Sequence, residues 1–138
     1  MGDEAINNAM KIILAKKKII KELEKNKENI FSKVLDELFT KYKNEEYIYD
    51  LKDENFIQDF KTSIINGHFQ WILDKLKNEN QTTFNSKYII NENNSLLNVP
   101  YCHFYSILIT QVKKMELSPF AQDILKKYIN DLIQKYCN

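Results

Sequence analysis

Residues 4–43 contain neither glycine nor proline, and apolar residues recur through them at helical spacing. Ile6, Ala9, Met10, Ile13, Ile20 and Leu23 form one set, and Phe31, Val34, Leu35, Leu38 and Tyr42 a second. At about 100° per residue the two sets point in nearly the same direction, so the polar stretch Glu24 to Asn29 does not reset the phase. The spacing predicts one long helix with a single core-facing stripe; two helices divided near Asn26 to Asn29 are the alternative. A rod with one apolar stripe has to bury it against other elements, which sets the terms for the rest of the chain.

Asn44 to Asp53 reads as an acidic connection in which Tyr47, Ile48, Tyr49 and Leu51 are candidate anchors. Asp53 suits the N-cap of a following helix whose stripe is Phe56, Ile57, Phe60 and Ile64. Gly67, the only internal glycine, then poses a question. Beyond it Phe69, Ile72, Leu73 and Leu76, joined backwards by Ile65, point about 150° away from the preceding stripe on a continuous helix. Asn66 and Gly67 are also residue types that end helices, where φ > 0 is wanted. The expectation is a helix break at Gly67. The alternative is an unbroken helix, apolar on opposite sides and centrally buried, in which Trp71 continues the line of Phe60 and Ile64.

Asn78 to Asn94 turns to Asn, Gln, Thr and Ser, and the two short segments Lys87 to Ile90 and Ser95 to Val99 would suit a minor β-hairpin. Pro100 fits the first position of a helix carrying Tyr101, Phe104, Tyr105, Leu108, Val112 and Met115. Ser118 as cap and Pro119 as first residue open a last helix through Phe120, Ile124, Leu125, Tyr128, Leu132 and Tyr136. The reading is an all-α bundle of five or six helices with at most one hairpin near 87–99, forming a single domain over residues 1–138. With 138 residues and 43% apolar content, a core forms without metal or disulfide support.

All 20 basic residues are lysine, set against 19 acidic residues. An AT-rich genome accounts for the lysine, asparagine and isoleucine usage. Without guanidinium groups the protein lacks the planar two-pronged grip on phosphate, carboxylate or guanine, and a net charge of +1 provides no global field to attract anions. The acidic, polar start differs from a secretory signal, and Ile6 stands where a myristoylation motif needs a hydroxyl. No apolar run approaches the ~20 residues that span a bilayer. The chain therefore reads as cytoplasmic or otherwise intracellular, with no membrane partner and with Cys102 and Cys137 as free thiols. These cysteines with His68 and His103 lack the spacing of a zinc site, so neither metal nor cofactor is expected.

Catalytic motifs are missing: there is no HExxH, phosphate loop or glycine-rich nucleotide turn. Cys102 and His103 are adjacent, but neighbours on a helix point about 100° apart and do not pair by themselves. The expectation is a non-catalytic protein-protein interaction module, an adaptor, inhibitor or immunity-type factor. If the helix breaks at Gly67, Trp71 faces outward beside His68 and Lys75, and an exposed indole ringed by polar groups suits a partner-binding anchor. Charge is uneven, with ten lysines against seven acids in residues 1–43 and four against eight in residues 44–80, so opposite ends could dock head to tail or fold against each other within one monomer. Nucleic-acid regulation is the second reading. Lys11, Lys18, Lys21 and Lys25 form a ridge on one side of the first helix, and residues 59–76 weakly resemble a helix-turn-helix through Ser63, Gly67, Leu73 and Leu76. Thr62 departs from that pattern, and Lys75 is the only cation on the second piece beside Phe69, Gln70, Trp71 and Asp74.

Overall fold

The computed structural model describes residues 2–46, 48, 51–78 and 95–137. They are helical almost throughout: α1 (Gly2–Lys41), α2 (Glu54–Thr62), a π-helical stretch (Ser63–Phe69), α3 (Gln70–Lys77), α4 (Ser95–Val112) and α5 (Pro119–Cys137). Because α2, the π stretch and α3 run on without interruption, the architecture is an all-α bundle of four rods, fewer than five or six separate helices. No strand occurs among the described residues. Residues 87–94 of the expected hairpin lie outside the described residues. Its other flank, Ser95 to Val99, is the first turn and more of α4, which corrects the strand assignment there.

α1 stays unbroken through Glu24 to Asn29, where Asn26 Nδ2 donates to the Glu22 backbone carbonyl at 3.1 Å. Asp53 caps α2 as its sequence position suggests, accepting from the Asn55 backbone N–H at 2.9 Å. Ser118 caps α5, taking the Ala121 N–H at 3.1 Å, and Pro119 occupies the first helical position, where no N–H is needed. Pro100 does not open α4 but sits inside it. The ring and missing N–H of Pro100 disturb only the carbonyl of Leu96, close to the N-terminal end, where few intrahelical bonds are at stake.

Gly67 does not end a helix. No glycine among the described residues has positive φ, and Gly67 is buried in the π stretch. The 150° jump in the apolar pattern is absorbed instead by widened turns: an i→i+5 turn takes in one more residue than an α-turn and sets the succeeding residues back by about 100°. Phe69, Ile72, Leu73 and Leu76 thereby return toward the side already served by Phe60 and Ile64, and all six are buried. The helix-turn-helix resemblance fails with the break, since the segment contains no turn.

One continuous cluster of buried side chains joins all four rods. Its centre is aromatic: Phe60 lies 5.8 Å from Phe31, 5.0 Å from Tyr101 and 5.6 Å, edge on, from Phe104 between ring centroids. Ile48 and Leu51 of the acidic connection are buried as well. α4 contributes Tyr101, Phe104, Tyr105, Ile107, Leu108 and Val112, a broad apolar face turned to the core, with Ser106 and Thr110 exposed on the other side. Ion pairs tie α1 to the second rod at its rim, Lys77 to Glu24 at 3.1 Å and Lys61 to Glu28 at 3.6 Å.

The two cysteines are not free thiols. Cys102 of α4 and Cys137 at the end of α5 form a disulfide across 5.6 Å between Cα atoms. Two cysteines 35 apart in sequence carry no spacing motif, and only the antiparallel return of α5 along α4 brings them together.

Candidate interaction surface

The stripe of α1 divides in two. Ala15, Ile19, Leu23, Ile30, Val34 and Leu38 are buried and face the bundle, while residues 3–14 are exposed throughout. Ile6 is 59%, Met10 56%, Ile13 52% and Leu14 63% exposed. This corrects the single core stripe: Ile6, Met10 and Ile13 point nearly opposite to Ala15 and Ile19 at about 100° per residue. The apolar start of α1 is thus a second face, turned away from the core rather than overrunning its edge. Ile19, lying off the first stripe, is the signal in the sequence that two faces coexist.

About a third of a turn round α1 from Ile6, Met10 and Ile13, an open groove of about 390 Å³ is lined by Leu14, Ala15, Lys18, Phe120 and neighbouring residues. Lys11 Nζ sits over the Phe120 ring, 4.4 Å from its centroid. A second, polar groove of about 240 Å³ lies farther along α1, lined by Glu22, Lys25, Asn26, Lys33, Lys114 and Glu116 among others. The lysine ridge is present, with Lys11, Lys18, Lys21 and Lys25 all exposed on one side of α1. Two of its members are engaged: Lys11 on Phe120, and Lys18 with Glu22 at 3.5 Å. With two of its four cations engaged locally, the ridge presents less bare charge to phosphates than the sequence spacing suggests.

The expected Trp71, His68 and Lys75 anchor does not assemble. His68 is 2% exposed and points into the core, so it is corrected from a surface residue to an interior one. Trp71 is half-buried against the core, and Lys75, also half-buried, holds its Nζ 5.4 Å from the indole centroid. The widened turns explain both placements. They rotate Trp71 off the line of Phe60 and Ile64, and they surround His68 with the α4 aromatics.

His68 lies in a buried polar cluster. Its Nδ1 shares a hydrogen bond with the Tyr105 hydroxyl, and its ring stacks on Tyr101 at 5.0 Å between centroids. The Tyr101 hydroxyl donates to Ser63 Oγ at 2.7 Å. Burial, helped by the positive charge of Lys135, pushes the His68 pKa down to about 3, so the imidazole is neutral at ordinary pH. π-turns recur at functional sites. Here, however, serine, histidine and tyrosines are all buried, joined as the pairs Tyr101–Ser63 and Tyr105–His68. His103 stacks flat on Tyr42 at 3.8 Å between centroids. Burial lowers its pKa, with Glu45 opposing and Lys41 adding to the fall. Its neighbour Cys102 is bound in the disulfide, so no thiolate is available beside it.

Among the described residues no group of three or more His, Cys, Asp or Glu side chains converges to hold a metal ion, and no helix is long and apolar enough to cross a membrane. No known protein-family model, curated protein or solved structure matches the chain.

Proposed function

We propose that the protein is a small interaction module that works by occupying the surface of a protein partner, as an adaptor, inhibitor or immunity-type factor does. The observation that carries this reading is the solvent-facing apolar row Ile6, Met10, Ile13 and Leu14. Leaving such side chains in water forgoes roughly 1.5–3 kcal/mol apiece, and among the described residues the exposed large hydrophobics, Ile12 included, are all gathered at this start of α1. A contiguous row of this kind marks a contact surface. The contact residues are therefore Ile6, Met10, Ile13 and Leu14 in place of His68, and Trp71 with Lys75 forms a smaller secondary patch. The Cys102–Cys137 bridge favours an oxidising compartment over the reducing cytosol.

Two variants test the reading side by side. Ile6→Ser with Met10→Ser and Ile13→Ser removes the row; Lys18→Gln with Lys21→Gln thins the ridge. Immobilised wild-type protein is expected to retain a defined partner that the serine variant loses and the glutamine variant keeps. Equal retention by all three proteins removes the row from consideration. Retention of DNA or RNA at ~0.15 M salt, lost in the glutamine variant alone, would establish nucleic-acid binding instead.

A further inference from the structure

The exposed face of α1 has an internal order that identifies its occupant. Asp3, Ile6, Met10, Ile13 and Lys17 follow one another at alternating intervals of three and four, the seam spacing of paired helices. All five are exposed. The seam is apolar in the middle, acidic at one end and basic at the other. In a parallel pairing of two such helices Asp3 meets Asp3 and Lys17 meets Lys17. In an antiparallel pairing centred on Met10, Met10 meets Met10, Ile6 lies level with Leu14, and each Asp3 lies level with the other copy's Lys17.

We infer that the occupant of this face is a second copy of the same chain, in an antiparallel, two-fold symmetric pairing of residues 3–17. This rests on the reading of the row as a contact surface and names the partner. Two-fold pairing is self-complementary, as these charges require: a helix matches its own reversed copy only if its two ends carry opposite signs. Four side chains somewhat more than half exposed offer roughly 100 Å² each, so two copies bring together about 800 Å² of apolar surface. This lies below the areas of standard-size specific complexes, in the range of weak, transient ones. The dimer is accordingly concentration-dependent, with a dissociation constant on the order of 1–100 μM.

Sedimentation equilibrium on the full chain between ~1 and ~300 μM tests the proposal. The weight-average mass is expected to rise from 16.5 kDa toward twice that value. Met10→Glu, which sets two carboxylates face to face at the centre, should weaken association at least tenfold. Lys17→Glu alone should weaken it about threefold or more, because each new carboxylate faces Asp3, and Asp3→Lys added to Lys17→Glu should restore wild-type affinity. All these positions are exposed, so the variants keep the wild-type circular dichroism spectrum and melting curve. A wild-type chain that stays at monomer mass to ~300 μM overturns the proposal. So does a Lys17→Glu chain that associates as well as wild type, the result expected of parallel pairing. A monomer that binds anionic vesicles through the same row overturns it in favour of a lipid surface. Heterologous partner capture by a strictly monomeric chain would leave the interaction-module reading standing while removing self-association; loss of both would remove both.

Discussion

Lowering the pH protonates His68 in the unfolded chain long before it does so in the native protein. Unfolded histidine titrates near 6.5, whereas the native imidazole, buried and sharing its Nδ1 with the Tyr105 hydroxyl, is held neutral down to about 3. Between these values the unfolded state binds one more proton than the folded state at this site. Stability therefore rises with pH across the window: it is fully present above 6.5 and is lost progressively as pH falls toward 3. The slope is about 1.4 kcal/mol per pH unit, or roughly 2.5–3 kcal/mol by pH 4.5, a large share of the 5–15 kcal/mol that stabilises ordinary domains. Urea unfolding at pH 7.5, 6.5, 5.5 and 4.5 measures it, with His68→Asn as the reference. Asparagine keeps a short side chain with an acceptor near the Tyr105 hydroxyl and has nothing to titrate. Subtracting the two series isolates His68 from the carboxylates and from His103, whose pKa is lowered too. The difference should shrink by about 1.4 kcal/mol for each unit below 6.5. A constant difference would refute the argument. So would a native-state NMR titration in which the His68 ring protons shift with a midpoint near 6.5.

Three other outcomes are expected from the packing. Gly67→Ala, worth a gain of about 1 kcal/mol at an open helical site, should instead cost about 1–3 kcal/mol, because the new methyl enters a buried π stretch; a higher urea midpoint would mean the position has room. Reducing Cys102–Cys137 releases a 35-residue loop and should cost up to about 4 kcal/mol, seen as a lower melting temperature with reductant and in the double serine variant. An unchanged melting temperature would show that α4 and α5 hold together by packing alone. Tyr101→Phe removes the buried hydrogen bond to Ser63 and should cost about 1 kcal/mol by urea unfolding, while Tyr128→Phe, half-exposed on α5, should cost less than half as much.

Where a feature rests on neighbouring residues, the amino-acid order reveals it. The length of α1, the Asp53 and Ser118 caps and Pro119 at the first helical position all depend on groups within one turn of each other, and each is found as its spacing suggests. Features that depend on distant partners escape such reading. A phase jump of 150° at Gly67 is equally well met by a break or by widened turns, and only the packing of α1 and α4 around residues 63–69 decides between them. Ile6, Met10 and Ile13 look like core because an average over many turns merges two faces; the bundle selects Ile19 over Ile20 as the residue facing inward. A break at Gly67 would likewise put His68 on the surface, whereas the widened turns put it inside. The disulfide is a product of how α5 returns along α4. The candidate surface is thus half legible: the residues belong to a clear apolar row, but their exposure depends on where the bundle ends.

The uninterrupted rod from Glu54 to Lys77 also has a genetic consequence. Loss of a single codon between 63 and 69 would remove the extra residue that the widened turns accommodate and leave an ordinary α-helix. Because the widened turns offset just such an extra residue, Ile72, Leu73 and Leu76 would keep their direction toward the core, and only the side chains within the π stretch itself would be redistributed. Lineages carrying this fold should accept the loss of one residue between 63 and 69 more readily than the same loss in the middle of α1 or α5, where each missing residue turns every later side chain by about 100°.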